Sequence, residues 1–284
     1  MIKLTDAQKN YGDFRLHLDM ELPAGRVSGL VGRNGAGKST TVKAILGLIR
    51  LDGGSAEVFG RNARDLTPED KERIGAAFSD SGFSGYLTAE DIARILKNTY
   101  ARFDEKLFRD YCEKNALPMK KRIREFSTGM NAKLRVLTAI SHSADLLILD
   151  EPTAGLDVVA RNEVLDMLRE YLAADPGRAM LISSHISSDL EGLCDDIYMI
   201  HDGRIVLHED TDVILGEYAS LKLSPESYEK LDKRYVLRTK KESFGYTCLT
   251  NRRRFYAENY PEIVLEAGGI DEMIILMSEG GTLE

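Results

Sequence analysis

The chain has 284 residues and a formal net charge of -8, and 43% of its residues are hydrophobic. This composition is typical of a folded globular protein and excludes disorder or low complexity over most of the chain. The acidic balance argues against nucleic acid or an anionic membrane surface as the main partner, because both favour a positive field.

The sequence also indicates a cellular compartment. No secretory signal is visible at the N-terminus, and no stretch approaches the roughly 18 apolar residues that cross a bilayer. The three cysteines, Cys112, Cys194 and Cys248, lie far apart and form no Cys-x-x-Cys pair. This usage predicts a reducing compartment.

The first strong pattern along the chain is strand, glycine-rich loop and helix. Residues 27–31 form an apolar run typical of a buried strand, and residues 41–49 place Val42, Ile45, Leu46 and Ile49 on one helical face. Between them lies Gly32-x-x-x-x-Gly37-Lys38-Ser39, the P-loop pattern.

Each fixed residue of the P-loop has a physical task. The glycines let backbone N–H groups surround a phosphate, and the helix N-terminus attracts the same anion. Lys38 is expected to reach the β- and γ-phosphates, and Ser39 to ligate Mg²⁺. The alternative is a glycine-rich turn with a capping serine, but the strand before the loop and the helix after it favour nucleotide binding.

Helical periodicity runs from about residue 87 to 142 and is broken once, at Pro118. An apolar run from Asp145 then ends in Asp150-Glu151 and predicts a second buried strand. Asp150 is placed to hold Mg²⁺, and Glu151 to act as general base on the attacking water. Alone this pattern is weak, but beside a P-loop it becomes strong.

The rest of the chain divides at about residue 211. A helix over 158–174 and strands over 179–183 and 197–200 continue the α/β pattern, and His185 follows the first of these strands. At that strand end a histidine is able to hydrogen-bond the γ-phosphate. Residues 220–284 mix short strands with charged turns and a helix over 270–277. Two basic clusters, at 240–241 and 252–254, fit a solvated face, with lipid headgroups or a partner as the alternative.

Six motifs in order resemble the nucleotide-binding subunit of ABC transporters, over roughly residues 1 to 215. They are the aromatic Tyr11, the P-loop over 32–40, the signature segment 126–130, the strand 145–151, the D-loop 154–157 and the switch His185. The resemblance implies that Tyr11 stacks on adenine, that Lys38, Glu151 and His185 are catalytic, and that the following residues bind ATP: Asn34, Gly35, Ala36, Gly37, Lys38, Ser39, Thr40, Ser127, Gly129 and Asp157.

Two segments depart from the family pattern. The signature keeps Ser127 and Gly129 but has Thr128 and Met130 in place of a glycine and a glutamine. It still opens a helix, so its hydroxyl and backbone N–H groups are expected to serve a γ-phosphate. The usual glutamine of the Q-loop falls on Ser79, with Asp80 adjacent, and either residue or a water is the candidate replacement.

The resemblance also implies the fold. We expect an α/β P-loop NTPase core with a mixed sheet, an N-terminal antiparallel β subdomain, an inserted helical subdomain over about 80–142 and a small C-terminal α+β extension. The ATPase domain is predicted over 1–215 and the extension over 216–284.

The implied function is ATP hydrolysis, with ATP and Mg²⁺ as ligands, in a dimer that buries two nucleotides and drives a separate integral-membrane permease. A homodimer is expected, cytoplasmic and peripheral on the inner face of the cell membrane, of the bacterial ABC-2-like exporter type. The alternative is a non-transport ABC ATPase acting on a cytosolic macromolecule, although no second cassette or zinc insertion is present. A GTPase is disfavoured because no Asn-Lys-x-Asp motif occurs.

Overall fold

The computed structural model describes residues 1–78 and 82–279. Its strands are β1 (Ile2–Tyr11), β2 (Phe14–Leu22), β3 (Val27–Val31), β4 (Gly53–Val58), β5 (Arg61–Asn62), β6 (Ile74–Phe78), β7 (Leu146–Asp150), β8 (Ala179–Ser184), β9 (Asp196–His201), β10 (Arg204–Asp210), β11 (Ala219–Leu223), β12 (Val236–Glu242), β13 (Gly245–Thr250) and β14 (Val264–Ala267). Its helices are α1 (Lys38–Ile45), α2 (Pro68–Glu72), α3 (Ala89–Thr99), α4 (Glu105–Lys114), α5 (Thr128–Ile140), α6 (Val158–Ala173), α7 (Ser187–Glu191), α8 (Thr211–Glu217), α9 (Pro225–Lys230), α10 (Arg253–Asn259) and α11 (Ile270–Glu279).

The central sheet has six strands in the order β10-β9-β3-β8-β7-β6. All neighbours are parallel except β10, which pairs antiparallel with β9. Every residue of β3, β7 and β8 is buried, as their continuous apolar runs predict. The carboxyl ends of these three strands therefore meet at one edge of the sheet, and the predicted mixed α/β fold is confirmed.

A second sheet, β2-β1-β4-β5, is antiparallel and covers one side of the core. Leu16 of β2 shares one hydrophobic cluster with Ile45 of α1 and Leu30 of β3. The β1–β2 hairpin turns at Gly12, whose φ of 59° favours glycine. The packing places this hairpin beside the P-loop.

The helical insertion contains α3, α4 and α5, whose apolar faces pack into one core with β7 and α6. Pro118 lies in a break between α4 and α5, as predicted, but the helical region is also interrupted between α3 and α4, which the sequence did not predict. Its first break lies before Asp104, whose carboxylate accepts from the N–H of Leu107 at 3.0 Å and starts α4. A capping aspartate favours a new helix start over continuation.

The helix predicted over 41–49 also differs, since α1 begins at Lys38 and ends at Ile45. Gly47 follows with φ of 65°, and a Cβ there would lie 2.4 Å from the carbonyl oxygen of Ala63. A left-handed glycine just past the last turn ends a helix.

The extension forms a third sheet, β12-β13-β11-β14, with all neighbours antiparallel. Its own cluster includes Leu221, Cys248 and Tyr256. Helix α11 instead belongs to the main core, where Ile270 and Met273 share a cluster with residues of α7 and β9. The domain boundary predicted after residue 215 falls inside α8 (Thr211–Glu217) and stays a prediction.

Candidate functional site

The P-loop connects β3 to α1 as a tight backbone wrap. Gly35 and Gly37 have φ of 83° and 117°, conformations that other residues rarely adopt. Gly37 is the N-cap of α1, so the N–H groups of the first turn point out of the helix start. Ala36 is buried, and its carbonyl accepts from the N–H of Gly203 at 2.9 Å. The loop therefore has the backbone geometry that binds phosphate.

Lys38 is nearly buried, with an exposed fraction of 5%. Its Nζ donates to the carbonyl oxygen of Gly32 at 2.7 Å and lies 3.2 Å from Glu151 Oε1. The ammonium is thus held at the mouth of the loop between a backbone carbonyl and a carboxylate. It lies where a phosphate in the loop would meet it.

Glu151 and His185 come from the ends of β7 and β8 and contact each other. His185 Nδ1 lies 2.6 Å from Glu151 Oε2, and the backbone N–H of His185 donates to the same oxygen at 3.3 Å. Glu151 has φ of 52°, an unusual value for a residue with a side chain. Its N–H donates to Ser183 Oγ at 3.0 Å, which anchors this turn to β8.

Asp150, one residue earlier, is 4% exposed. Ser183 Oγ donates to its Oδ1 at 2.5 Å. Ser39 is exposed in the first turn of α1. In the described part of the chain, no group of three or more His, Cys, Asp or Glu side chains is able to hold a metal. Any divalent ion here would therefore depend on one hydroxyl, one carboxylate, water and phosphate oxygens, a set that suits Mg²⁺.

These segments surround a cavity of 380 Å³. Its lining residues are Phe14, Arg33, Asn34, Gly35, Gly37, Lys38, Ser39, Thr40, Glu151, Ala154 and His185. The structure thus brings the predicted P-loop residues together with both residues from the strand ends. Of the predicted site residues, those outside this lining are Tyr11, Ala36, Ser127, Gly129, Asp150 and Asp157.

The β1–β2 hairpin contributes an aromatic residue that the sequence reasoning missed. Phe14 lines the cavity, and its Cζ lies 3.1 Å from the place of a Cβ on Gly37. Tyr11 is its cross-strand neighbour, is 49% exposed, and has Lys9 Nζ 5.4 Å from its ring centroid. Gly12-Asp13 is a turn signal that predicts a hairpin, and this hairpin would have paired Phe14 with Tyr11, the residue already assigned to the nucleotide site. Adenine stacking on Tyr11 stays a prediction.

The signature and the D-loop each start a helix. Ser127 Oγ accepts from the N–H of Met130 at 3.2 Å and caps α5, and Asp157 Oδ1 accepts from the N–H of Ala160 at 2.9 Å and caps α6. A Cβ on Gly129 would lie 2.9 Å from that of Ala160, so the two helix starts touch. Ser127, Thr128 and Asp157 are exposed.

The remaining predictions concern the Q-loop and the cysteines. Ser79 and Asp80 lie outside the described residues. The three cysteines are buried and free, and burial raises the pKa of Cys112 to about 12. Among residues 1–78 and 82–279, no helix is long and apolar enough to cross a bilayer.

Comparison with known proteins identifies the class. The profile of the ABC transporter family matches residues 16–154. The chain is 36% identical over 210 residues to the bacitracin transport ATP-binding protein BcrA of Bacillus licheniformis, an alignment that covers 72% of this chain and 68% of that protein. It is 32% identical over 216 residues to the lantibiotic transport ATP-binding protein SrtF of Streptococcus pyogenes, which covers 75% and 92% respectively.

Solved structures agree. An ATP-binding subunit of an ABC transporter superposes with a TM-score of 0.67 at 26% identity, over 75% of this chain and 91% of that one. A dimeric bacterial ABC transporter cassette reaches a TM-score of 0.66 at 20% identity, over 74% and 99%, which supports the fold alone.

The chain therefore belongs to the ABC transporter family. Within it, the chain is an ATP-binding subunit that hydrolyses ATP for transport.

Proposed function

We propose that two copies of this chain close on two ATP–Mg²⁺ and drive a separate membrane subunit. The observation that carries this proposal is the contact of Glu151 with both Lys38 and His185 inside the P-loop cavity. A carboxylate held beside the phosphate site is placed to act on the water that attacks the γ-phosphate.

The cavity residues suit the reaction in distinct ways. The P-loop N–H groups and Lys38 hold the β- and γ-phosphates and balance their charge. Glu151 accepts a proton from the water as the water oxygen bonds to the γ-phosphorus, and the bond to the β-phosphate oxygen breaks with its electron pair leaving on ADP. His185 orients the Glu151 carboxylate through the 2.6 Å contact. Ser39 and Asp150 would hold Mg²⁺, which supplies positive charge to the phosphate oxygens.

The proposal requires a second copy because the signature residues of the same chain do not line its P-loop cavity. Ser127 and Gly129 are outside the cavity lining, yet they start a helix of 13 residues whose N-cap Ser127 and first residue Thr128 are exposed. A hydroxyl and free N–H groups at a helix start bind an anion well. We propose that they bind the γ-phosphate held by the P-loop of the other copy, so that ATP stabilises the closed dimer.

The names of the relatives support a membrane partner and a direction of transport. Their names describe transport of bacitracin and of lantibiotics and resistance to daunorubicin and doxorubicin. We propose that this chain powers an exporter of the ABC-2-like type from the cytoplasmic face of the membrane. Copurification with a membrane protein encoded next to it would test this directly.

The catalytic proposal is tested with Glu151→Gln. The amide keeps the size of the side chain but accepts no proton, so we expect kcat to fall by about 100-fold or more. Because ATP still binds, the variant should form an ATP-dependent dimer that persists, measured by size-exclusion chromatography with light scattering. Glu113→Gln, on the exposed side of α4, is the matched control.

A Glu151→Gln protein that hydrolyses ATP at the rate of the control would contradict the base assignment. A variant that binds ATP–Mg²⁺ but stays monomeric, both alone and with its membrane partner, would contradict the dimer.

A further inference from the structure

We propose that Asp189 of α7 is a positioning residue for hydrolysis, which holds the segment after Glu151 in register with the segment after His185. The inference rests on the proposed roles of Glu151 and His185. The carboxylate of Asp189 bonds to Thr153 and pairs with Arg161, and Asp189 lies outside the cavity lining.

Asp189 is 1% exposed, and its two carboxylate oxygens are used by two different segments. Thr153 Oγ1 donates to Oδ2 at 2.5 Å, and Thr153 is itself 1% exposed. Arg161 Nε lies 3.2 Å from Oδ1, an ion pair without the angle of a hydrogen bond. A buried carboxylate with these two partners keeps its geometry, because separating it from either one leaves a buried group unpaired.

The hydrogen bond of Thr153 to Asp189 helps to fix the backbone near Glu151, which lies two residues earlier. Glu151 holds a left-handed φ of 52°, and such a conformation persists only where its surroundings fix it. The segment from Glu151 to Leu156 is two short turns, with N–H groups of Ala154 and Leu156 donating to Glu151 and Thr153 carbonyls at 3.2 Å each. The hydroxyl of Thr153 anchors the middle of this segment.

The same carboxylate also helps to fix the position of His185, which lies four residues before Asp189. The turn after His185 has one local hydrogen bond, from the N–H of Ile186 to Ser184 Oγ at 2.9 Å, and α7 then starts at Ser187 without a side-chain cap. Asp189 therefore ties the β8 end to the β7 end at a further point, beyond the Glu151–His185 contact and the Ser183 hydrogen bonds.

Arg161 adds a third segment. It lies in the first turn of α6, whose cap is Asp157 and whose Ala160 touches the signature at Gly129. The segment after Glu151, the helix after His185 and the D-loop helix thus meet through one carboxylate. If their register matters, breaking it should lower the rate of hydrolysis without changing the affinity for ATP.

The experiment compares Thr153→Val, which keeps the side-chain shape but loses the hydroxyl, with Thr153→Ser, which keeps the hydroxyl. Asp189→Asn removes the charge that faces Arg161. We expect kcat to fall about 10-fold or more in Thr153→Val and Asp189→Asn, because small misplacements of catalytic groups are costly. The ATP Kd should stay within about twofold of wild type, and Thr153→Ser should restore most of the rate.

Asp166→Asn is the matched control, since Asp166 is exposed on α6 and pairs with Arg169 at 2.7 Å. ATPase rates are measured well below the Tm of each variant. They are divided by the concentration of subunits that bind ATP, so that unfolded protein does not lower the apparent kcat. Glu151→Gln is assayed alongside.

The proposal is overturned if Thr153→Val and Asp189→Asn both keep kcat within about twofold of the control while Glu151→Gln is inactive. It is also overturned if ATP Kd rises as much as kcat falls, or if Thr153→Ser is as slow as Thr153→Val. Hydrolysis that survives Glu151→Gln would instead refute the proposed function, which separates the two failures.

Discussion

Glu151 contacts both Lys38 and His185 inside one cavity, whereas Ser127 and Gly129 lie at the start of α5, outside that cavity lining. In the first group, Lys38 is only 5% exposed and Glu151 is partly buried, while the His185 side chain is 45% exposed. The signature start is open, and the hydroxyl of Ser127 accepts from the N–H of Met130 in its own helix. The difference supports the proposal that one chain holds a catalytic cluster beside its own phosphate site and presents a second phosphate-binding surface to another copy.

Two inactive variants that repair each other would give the sharpest test of this comparison. Lys38→Met removes the ammonium from the P-loop, and Ser127→Asp keeps a helix cap but places a carboxylate where a γ-phosphate is expected. We expect each alone to lose about 100-fold or more in ATPase rate. In an equal mixture, a mixed dimer has one intact composite site, so about a quarter of the wild-type rate should return.

The control for the signature variant is Ser224→Asp, the same change at the N-cap of α9 in the extension. It should keep the wild-type rate and should not complement Lys38→Met. No recovery in a mixture shown to contain mixed dimers would mean that the two surfaces do not share a nucleotide.

A smaller effect separates the two aromatic residues of the β1–β2 hairpin. Tyr11 is half exposed, so Tyr11→Ala should leave Tm unchanged but raise the ATP Kd about 5–50-fold if the ring stacks on adenine. Phe14 packs against the hydrophobic cluster beside Gly37, so Phe14→Ala should lower Tm as well. Fluorescent-nucleotide titration and thermal denaturation measure both. An unchanged ATP Kd in Tyr11→Ala would contradict adenine stacking on Tyr11. Any contribution of the hairpin to ATP binding would then come from Phe14.

The smallest effect concerns His142, which stacks on Tyr100 with 4.0 Å between ring centroids and donates from Nε2 to the Ile74 carbonyl oxygen at 3.2 Å. Burial lowers its pKa from the usual 6.5. As pH falls below that value, the unfolded chain gains the proton first, so the free energy of unfolding should fall, by at most about 1.4 kcal/mol per pH unit. Urea denaturation at pH 7.5 and 5.5 measures this.

His142→Gln should flatten that pH dependence, while His201→Gln, at the partly exposed end of β9, should keep it. Equal slopes for His142→Gln and wild type would show that other groups dominate acid destabilisation.

Local patterns allowed the sequence to predict much of the site. The P-loop, the buried run into Asp150-Glu151 and the strand before His185 are short, contiguous signals, and the sheet brings their ends together because parallel strands share an edge. The end of α1 at Ile45 could also have been predicted, because Gly47 is a helix-stop signal, but the predicted helix ran to residue 49.

What the sequence did not predict depends on distant contacts. Thr153, Arg161 and Asp189 meet only because three segments converge, and no spacing within one segment reports it. The strand order of the extension, β12-β13-β11-β14, likewise depends on pairing between remote strands. From the sequence alone, polar residues in such positions cannot be distinguished from ordinary helix caps or surface residues.

The left-handed backbone at Glu151 has a consequence for how this position tolerates change. A side chain in that conformation costs about 1–3 kcal/mol, and glycine would remove the cost. Substitution to glycine would therefore tend to stabilise the fold while removing the carboxylate between Lys38 and His185. Screens that select only for thermal stability are expected to accept changes at residue 151 that leave an inert ATPase, so stability and function would have to be selected together here.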